Sequence, residues 1–364
     1  MRQLLRTTVT VFVALVFTAG MAFGQSNEST VDQDGDGNTA TVTQTGQENI
    51  SGVEQYAEGT SGGESVAASA DVNQTGQSNV NQLDQDAFFG NSEATITQVG
   101  DNNYSNLVQQ NGGGEAEVYM EGDFNRLINQ FLEDGTGALQ KNDNFFDLDI
   151  NGDENTVGMR QEFATATVDI DGSGNVFQLR QNAGANYNEA LYHTSDVKVE
   201  GNGNEGSIRQ EGTNQSADLY AVGNENTTTQ AQEGSGNVQR LELWGDRNVF
   251  TAEQYGSNNR LFVNARGTGS GFSRSGDVSD NVLDVKQDGT SNVIGGGING
   301  VENTISVDQI GNNNMVTGGT SRFDAQGFRV VGNANTVSIT QQSDGNLSTV
   351  NVNGNNNTAT VTQN

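Results

Sequence analysis

The heptapeptide NTATVTQ stands at Asn38–Gln44 and again at Asn357–Gln363. The offset between the two starts, 357 − 38 = 319, is 29 × 11. Within the heptad Asn38, Ala40, Val42 and Gln44 share one face of an extended chain, and Thr39, Thr41 and Thr43 share the other. Alternation of period two over the whole heptad predicts a β-strand, because a helix brings side chains to one face every 3.6 residues. The next four residues, Thr45-Gly46-Gln47-Glu48, carry the glycine of a tight turn. Strand and turn together give a unit of eleven.

The unit recurs along the chain as Asn-x5-Gln. It reads NISGVEQ (Asn49–Gln55), NVNQLDQ (Asn79–Gln85), NYSNLVQ (Asn103–Gln109), NTVGMRQ (Asn155–Gln161) and NVFQLRQ (Asn175–Gln181). Further copies are NEGSIRQ (Asn204–Gln210), NTTTQAQ (Asn226–Gln232), NVFTAEQ (Asn248–Gln254), NVLDVKQ (Asn281–Gln287), NTISVDQ (Asn303–Gln309) and NTVSITQ (Asn335–Gln341). A glycine precedes the Asn by three positions at Gly46, Gly76, Gly100, Gly152, Gly172, Gly201, Gly223, Gly245, Gly300, Gly332 and Gly354. Degenerate segments such as ASADVNQ (68–74), GEAEVYM (114–120) and ATATVDI (164–170) keep the phase. With these included, the reading gives about 31 units in one array over residues 25–364. Gly/Ser-rich insertions lie at Glu58–Glu64 and Gly267–Gly276.

A strand this short cannot bury its apolar face alone, so units must stack. Two units make a coil of about 22 residues, strand-turn-strand-turn. Stacked coils form an all-β, parallel two-sheet β-solenoid with sheets about 10 Å apart and strands about 4.8 Å apart. About 15.5 coils would give a rod on the order of 75 Å long at that spacing. The inward Asn and Gln residues are expected to stack as amide ladders around a thin apolar core, since a buried unpaired amide is costly. Polymerised, such an array is cross-β amyloid.

Composition excludes several functions. The 364 residues contain no Cys, no Pro and one His, and carry a formal charge of −30. Residues 1–24 read as a secretory signal peptide: Arg2 and Arg6 precede a mostly apolar Thr7–Ala19, and Ala22-Phe23-Gly24 fits a cleavage site before Gln25. Its removal leaves 14 − 46 = −32. That charge argues against nucleic acid as a partner, and no later segment is apolar enough to span a bilayer. With His193 alone and no Cys, there is no raw material for a zinc site or a nucleophilic triad. Asp32-Gln33-Asp34-Gly35-Asp36-Gly37 begins like a calcium loop, but position twelve is Thr43 where an EF-hand needs Glu. Neither catalysis nor a cofactor is expected.

Gln44-Thr45-Gly46-Gln47-Glu48-Asn49 through Gln55, and Gln74-Thr75-Gly76-Gln77-Ser78-Asn79 through Gln85, match a repeat of the form Ser-x5-Gln-x-Gly-x2-Asn-x5-Gln. In this the chain resembles curlin, the major subunit family of bacterial curli fibres. The resemblance implies a secreted amyloid subunit of the biofilm matrix, acting in adhesion and cell aggregation. It also implies an outer-membrane secretion pore and a minor nucleator subunit as partners. The chain departs from the familiar pattern in its many repeats, in repeats that start at Asn27, and in Asn at positions where curlins alternate with Ser.

A solenoid that stays monomeric needs capping units, and repeats running from Asn27 to Gln363 leave strand edges open at both ends. End-to-end self-assembly is therefore the expected function. The alternative is a monomeric solenoid with an adhesive or ice-binding face. The outward Thr rank of NTATVTQ does not persist, however: the same positions read Ile50/Gly52/Glu54 one unit on. If copies stack and continue the alternation of sheets, the two NTATVTQ segments would meet at the joint.

Overall fold

A computed structural model of the chain describes residues 26–364, except 59, 62–63, 89, 111–113, 129–137, 142–144, 163, 184–192, 266–277 and 317–327. The proposed signal peptide at 1–24 and the Gly267–Gly276 insertion lie outside the described residues. Every described element is a β-strand.

The strands form two stacked parallel sheets. Sheet 1 begins with Glu28–Gly35, Ile50–Ala57 and Val80–Asp86, and ends with Thr304–Ile310, Thr336–Gln342 and Thr358–Gln363. Sheet 2 begins with Thr39–Gln47, Ala68–Gln77 and Ser92–Val99, and ends with Leu347–Ser348 and Val350–Asn353. The chain alternates between sheets at each turn. Pairing is in register, as in Ile50↔Val80, Val53↔Leu83 and Gln55↔Gln85. One antiparallel pair, Thr60–Ser61 with Glu64–Ser65, is a small hairpin looping out of the array.

Sheet 1 has fourteen rungs, one of them built from two segments. Sheet 2 has seventeen segments, but four rungs are each split in two, so 17 − 4 = 13 rungs. The described array therefore has 27 rungs, or 13.5 coils, and the expectation of about 31 units and 15.5 coils is corrected. At about 4.8 Å per coil it is on the order of 65 Å long. The error has a definite cause. The offset from Glu28 to Thr358, 358 − 28 = 330, is 15 × 22, but sheet 1 takes only thirteen steps. Many steps advance the numbering by 50 − 28 = 22, as in Glu28↔Ile50, and the same step recurs in Thr227↔Val249. Others advance it by 30, 33 or 32, as in Ile50↔Val80, Val249↔Val282 and Thr304↔Thr336. The surplus leaves the coil without adding rungs, and it totals a multiple of eleven, so the phase at the far end survives it.

Insertion also occurs inside strands. Arg126–Ile128 and Ala138–Lys141 occupy one sheet 1 rung, and both pair with the same two neighbours. Met315–Val316 and Phe328–Val331 likewise share a sheet 2 rung. The apolar core runs between the sheets, with Val53, Leu83, Leu107, Met159, Phe177 and Leu179 from sheet 1 against Val72, Ile96, Val118 and Phe146 from sheet 2. Large side chains are accommodated by glycine. A Cβ on Gly206 would lie 2.5 Å from the Phe177 ring, and one on Gly296 would lie 2.0 Å from the Phe328 ring.

Candidate functional site: amide ladders and glycine turns

The Asn of each sheet 1 unit closes the turn before its strand. Asn79 donates from its backbone N–H and from Nδ2 to Asn49 Oδ1, at 3.0 and 3.1 Å. Its Nδ2 also donates to the Gly100 carbonyl of the next coil at 2.7 Å. One short amide therefore satisfies backbone groups of two consecutive turns, which would otherwise be buried unpaired. The same pattern repeats at Asn155, Asn175, Asn204, Asn248, Asn281, Asn303 and Asn335, with Asn357 the last rung.

At the other end of each strand Gln forms a second ladder. Gln55 Nε2 donates to Gln85 Oε1 at 2.8 Å, and Gln85 to Gln109 at 2.7 Å. Gln161, Gln181, Gln210, Gln232, Gln254, Gln287, Gln309 and Gln341 continue it to Gln363, each donating in the same axial direction. The Gln amides also cross to the other sheet. Gln55 Nε2 reaches the Thr39 carbonyl at 2.9 Å and Gln85 the Ser69 carbonyl at 3.0 Å. These rungs thus tie the two sheets at the coil edge.

Sheet 2 is different. Among the described residues its Gln column holds only Gln44, Gln74 and Gln98, joined at 2.8 Å each. The in-register positions then become Met120, Ile150 and Ile170. Its Asn column starts at Asn38, passes through Ala68, Ser92 and His193, and becomes continuous only from Asn237 through Asn259, Asn292 and Asn314 to Asn346. Of the paired Asn-x5-Gln positions singled out from the sequence, Asn38/Gln44 alone lies in sheet 2, and the pairs from Asn49/Gln55 to Asn357/Gln363 lie in sheet 1. The exact motif therefore repeats once per coil. Sequence reasoning missed Asn125, which accepts from Asn155 and donates to the Gly152 carbonyl. The Cα of Gln140 pairs with those of Gln109 and Gln161, so the offset from Asn to Gln on this rung is 140 − 125 = 15 rather than six.

The turn glycines stack as a third column. Gly46, Gly76, Gly100, Gly152, Gly172, Gly201, Gly223, Gly245, Gly300, Gly332 and Gly354 all have φ between +82° and +134°. At Gly46 an added Cβ would lie 1.8 Å from the Gly76 carbonyl oxygen. Glycine is therefore required twice, by the backbone conformation and by the approach of the coil above. The residue before the Asn is also left-handed, as at Glu48, Ser78 and Glu225. In the calcium-like stretch Asp32 faces outward from its strand, and Gly35 and Gly37 take φ of +99° and +82° at the first turn. Among the described residues no group of three or more His, Asp or Glu side chains is placed to hold a metal ion.

Two further ladder features carry predictions. Gln215, Gln230 and Gln239 are buried with amide oxygens that have no partner. Gln230 sits between Ile208 and Ala252 of neighbouring rungs. Replacing an unsatisfied buried oxygen by an apolar group recovers its desolvation penalty, offset in part by the lost donation from Gln230 Nε2 to the Asp218 carbonyl at 3.2 Å, so Gln230→Leu should stabilise the array by about 1 kcal/mol. The measurement is the guanidinium midpoint, and an unchanged or lower midpoint would count against a strained amide there.

Stacking in register also brings like charges together. Burial, then Glu54 of the neighbouring rung and Asp86, raise the Asp84 carboxyl above its usual range. Burial first, then Asp169 and Asp171, do the same for Asp149. Asp218 and Asp308 are raised by burial, partly offset by Arg240 and Lys286. A carboxyl raised in the folded state contributes stability that is present below its unfolded value and lost as pH rises through the raised value. His193 acts oppositely. Burial lowers it, so its contribution is present above the ordinary histidine value and is lost as pH falls below that. Glu211 and Asp280, held low by Arg209 and Arg247, act with His193, but the raised carboxyls outnumber these three, and the midpoint should rise between pH 7 and pH 4. In His193→Gln the rise should be steeper in the window below about pH 6.5.

Fold and site together define a class: a parallel two-sheet β-solenoid whose coils are held by stacked amides and turn glycines. A family model, the curlin-associated repeat, matches residues 24–56 and 332–364. The chain is curlin-like in that both stretches match this repeat. The two matches fall on the first and last rungs, and the rungs between them pair in the same parallel register. No curated protein matches the chain.

Proposed function

We propose that this protein is a secreted structural subunit that polymerises end to end into an extracellular, curli-like amyloid fibre serving adhesion and cohesion of a biofilm matrix. The reading rests on one observation above others: each ladder of sheet 1 keeps a single direction along the described array, the Gln amides donating toward its C-terminal end and the Asn amides donating to one another toward its N-terminal end. A ladder of that kind has unlike ends, an acceptor face at one and a donor face at the other, so copies can add indefinitely in one orientation. Backbone groups at the two edge strands supply the remaining bonds, as edge strands do whenever they template another chain. Residues 1–24 direct export in this reading, and residues 25–364 act as one repeat array. By resemblance to curlins, a nucleator subunit and an outer-membrane pore are the accessory partners. The high negative charge keeps unassembled copies apart and weakens as a barrier with salt.

The test is incubation of the purified protein, followed by electron microscopy and fibre diffraction. Fibres with a meridional reflection near 4.7–4.8 Å are expected. Protein that stays monomeric without that reflection would sink the proposal.

A further inference from the structure

The number of rungs determines how two copies can join. Sheet 1 supplies both the first and the last rung of the described array, Glu28–Gly35 and Thr358–Gln363, and sheet 2 has one rung fewer. A second copy placed in the same orientation would continue sheet 1 but leave sheet 2 one rung short. Val350–Asn353 and the incoming Thr39–Gln47 would then stand two rungs apart, about 9.6 Å, with their backbone groups unpaired. Turning the incoming copy by half a turn about the axis removes the gap. Its first rung then falls on sheet 2, and its second rung on sheet 1.

We propose, on the reading that the protein polymerises, that copies of this chain join with their sheets exchanged, so that sheet 1 of one copy runs into sheet 2 of the next. Exchange seats NTATVTQ of Asn38–Gln44 directly on NTATVTQ of Asn357–Gln363, identical at every position. It seats NESTVDQ of Asn27–Gln33 on NLSTVNV of Asn346–Val352, which agree at Asn, Ser, Thr and Val. The core is flush across both rungs: Ala40 on Ala359, Val42 on Val361, Ser29 on Ser348 and Val31 on Val350. Both Asn columns continue, since Asn38 follows Asn357 and Asn27 follows Asn346. The mismatches are Glu28 on Leu347, Asp32 on Asn351 and Gln33 on Val352, where the sheet 1 Gln ladder starts afresh.

The Gln column of sheet 2 supplies an independent reason. That column is amide only at its first three rungs, Gln44, Gln74 and Gln98, and is apolar from Met120 onward. Within one copy those three glutamines are an isolated stub. Across an exchanged joint they extend the longest ladder in the molecule. Gln363 Oε1 accepts from Gln341 at 2.7 Å, and its Nε2 faces the side from which Gln44 arrives. Gln44 then donates onward to Gln74 at 2.8 Å. The ladder of one copy thus runs three rungs into its neighbour.

The chain has no cysteine, so engineered pairs report the joint cleanly. In the exchanged joint Thr41 lies one rung above Thr360 and Thr43 above Thr362, all four on outward faces. In the unexchanged joint Thr30 lies above Thr360. Fibres of T41C/T360C, and of T43C/T362C as a second pair, should give covalent ladders of dimers and higher oligomers on oxidation. T30C/T360C should stay monomeric. Fibres that link through T30C/T360C, or through none of the pairs, would overturn the exchanged joint and leave polymerisation standing. Unmodified protein that forms no fibres overturns the proposed function instead.

Discussion

Gly223→Ala should be among the most damaging single-methyl changes available in this protein, and Gly174→Ala one of the mildest at a turn glycine. Both positions have positive φ, +116° and +68°. A Cβ on Gly223 would lie 2.0 Å from the Gly245 carbonyl oxygen, whereas one on Gly174 would meet nothing within 4 Å. The left-handed conformation alone costs an alanine about 1–2 kcal/mol. At Gly223 the clash is with backbone of the adjacent coil, which cannot retreat without opening the pairing on either side. A loss on the order of 3–5 kcal/mol is expected there, in the range of the most severe point changes. Guanidinium unfolding of the two variants measures the difference. Similar losses at the two sites would show that conformation, not coil spacing, selects glycine in these turns.

Asn281→Leu is expected to cost a similar amount through a different mechanism. Asn281 Oδ1 accepts the backbone N–H and the Nδ2 of Asn303, at 2.9 and 3.0 Å. Its Nδ2 donates to the Gly300 carbonyl at 2.9 Å. Leucine removes the partner of the buried Asn303 N–H and of the Gly300 carbonyl, each costing roughly 1–3 kcal/mol, while Asn303 Nδ2 keeps its bond to the Gly332 carbonyl. The sum is about 2–6 kcal/mol, less whatever the added apolar contact returns. Asp284→Ser, three positions on and facing outward, should stay within about 0.5 kcal/mol. Hydrogen exchange at the Asn303 amide would localise the effect. Unchanged protection there would mean that the ladder contributes little to holding the coils together.

Much of this architecture was legible in residues. The alternation in NTATVTQ predicts a strand because side chains on a strand alternate by geometry. The Gly three positions before Asn marks the turn because a Cβ there, with positive φ, would strike the next coil's carbonyl; Val278, three before Asn281, takes the place of glycine on one rung without a positive φ. Position along the array was less legible. Asn125 and Gln140 belong to one rung, but the chain between them lengthens the heptad from within, and no spacing rule finds a strand that is interrupted and resumed. The left-handed residue before each Asn was also invisible, since Glu48, Ser78 and Glu225 share no side-chain property.

Local pattern was enough for the unit, its strand and turn, and the amide and glycine positions, because these follow from period and from what a buried amide or a left-handed turn demands. The number of rungs, and the sheet that each unit joins, came only from long-range packing. Both depend on where inserted residues leave the coil, and a parallel sheet tolerates a long excursion at either edge, or within a strand, so long as the next segment returns to register. The surplus, 330 − 13 × 22 = 44, is silent in a phase of eleven. It moves the far NTATVTQ without changing its sheet, and that sheet sets how one copy can meet the next.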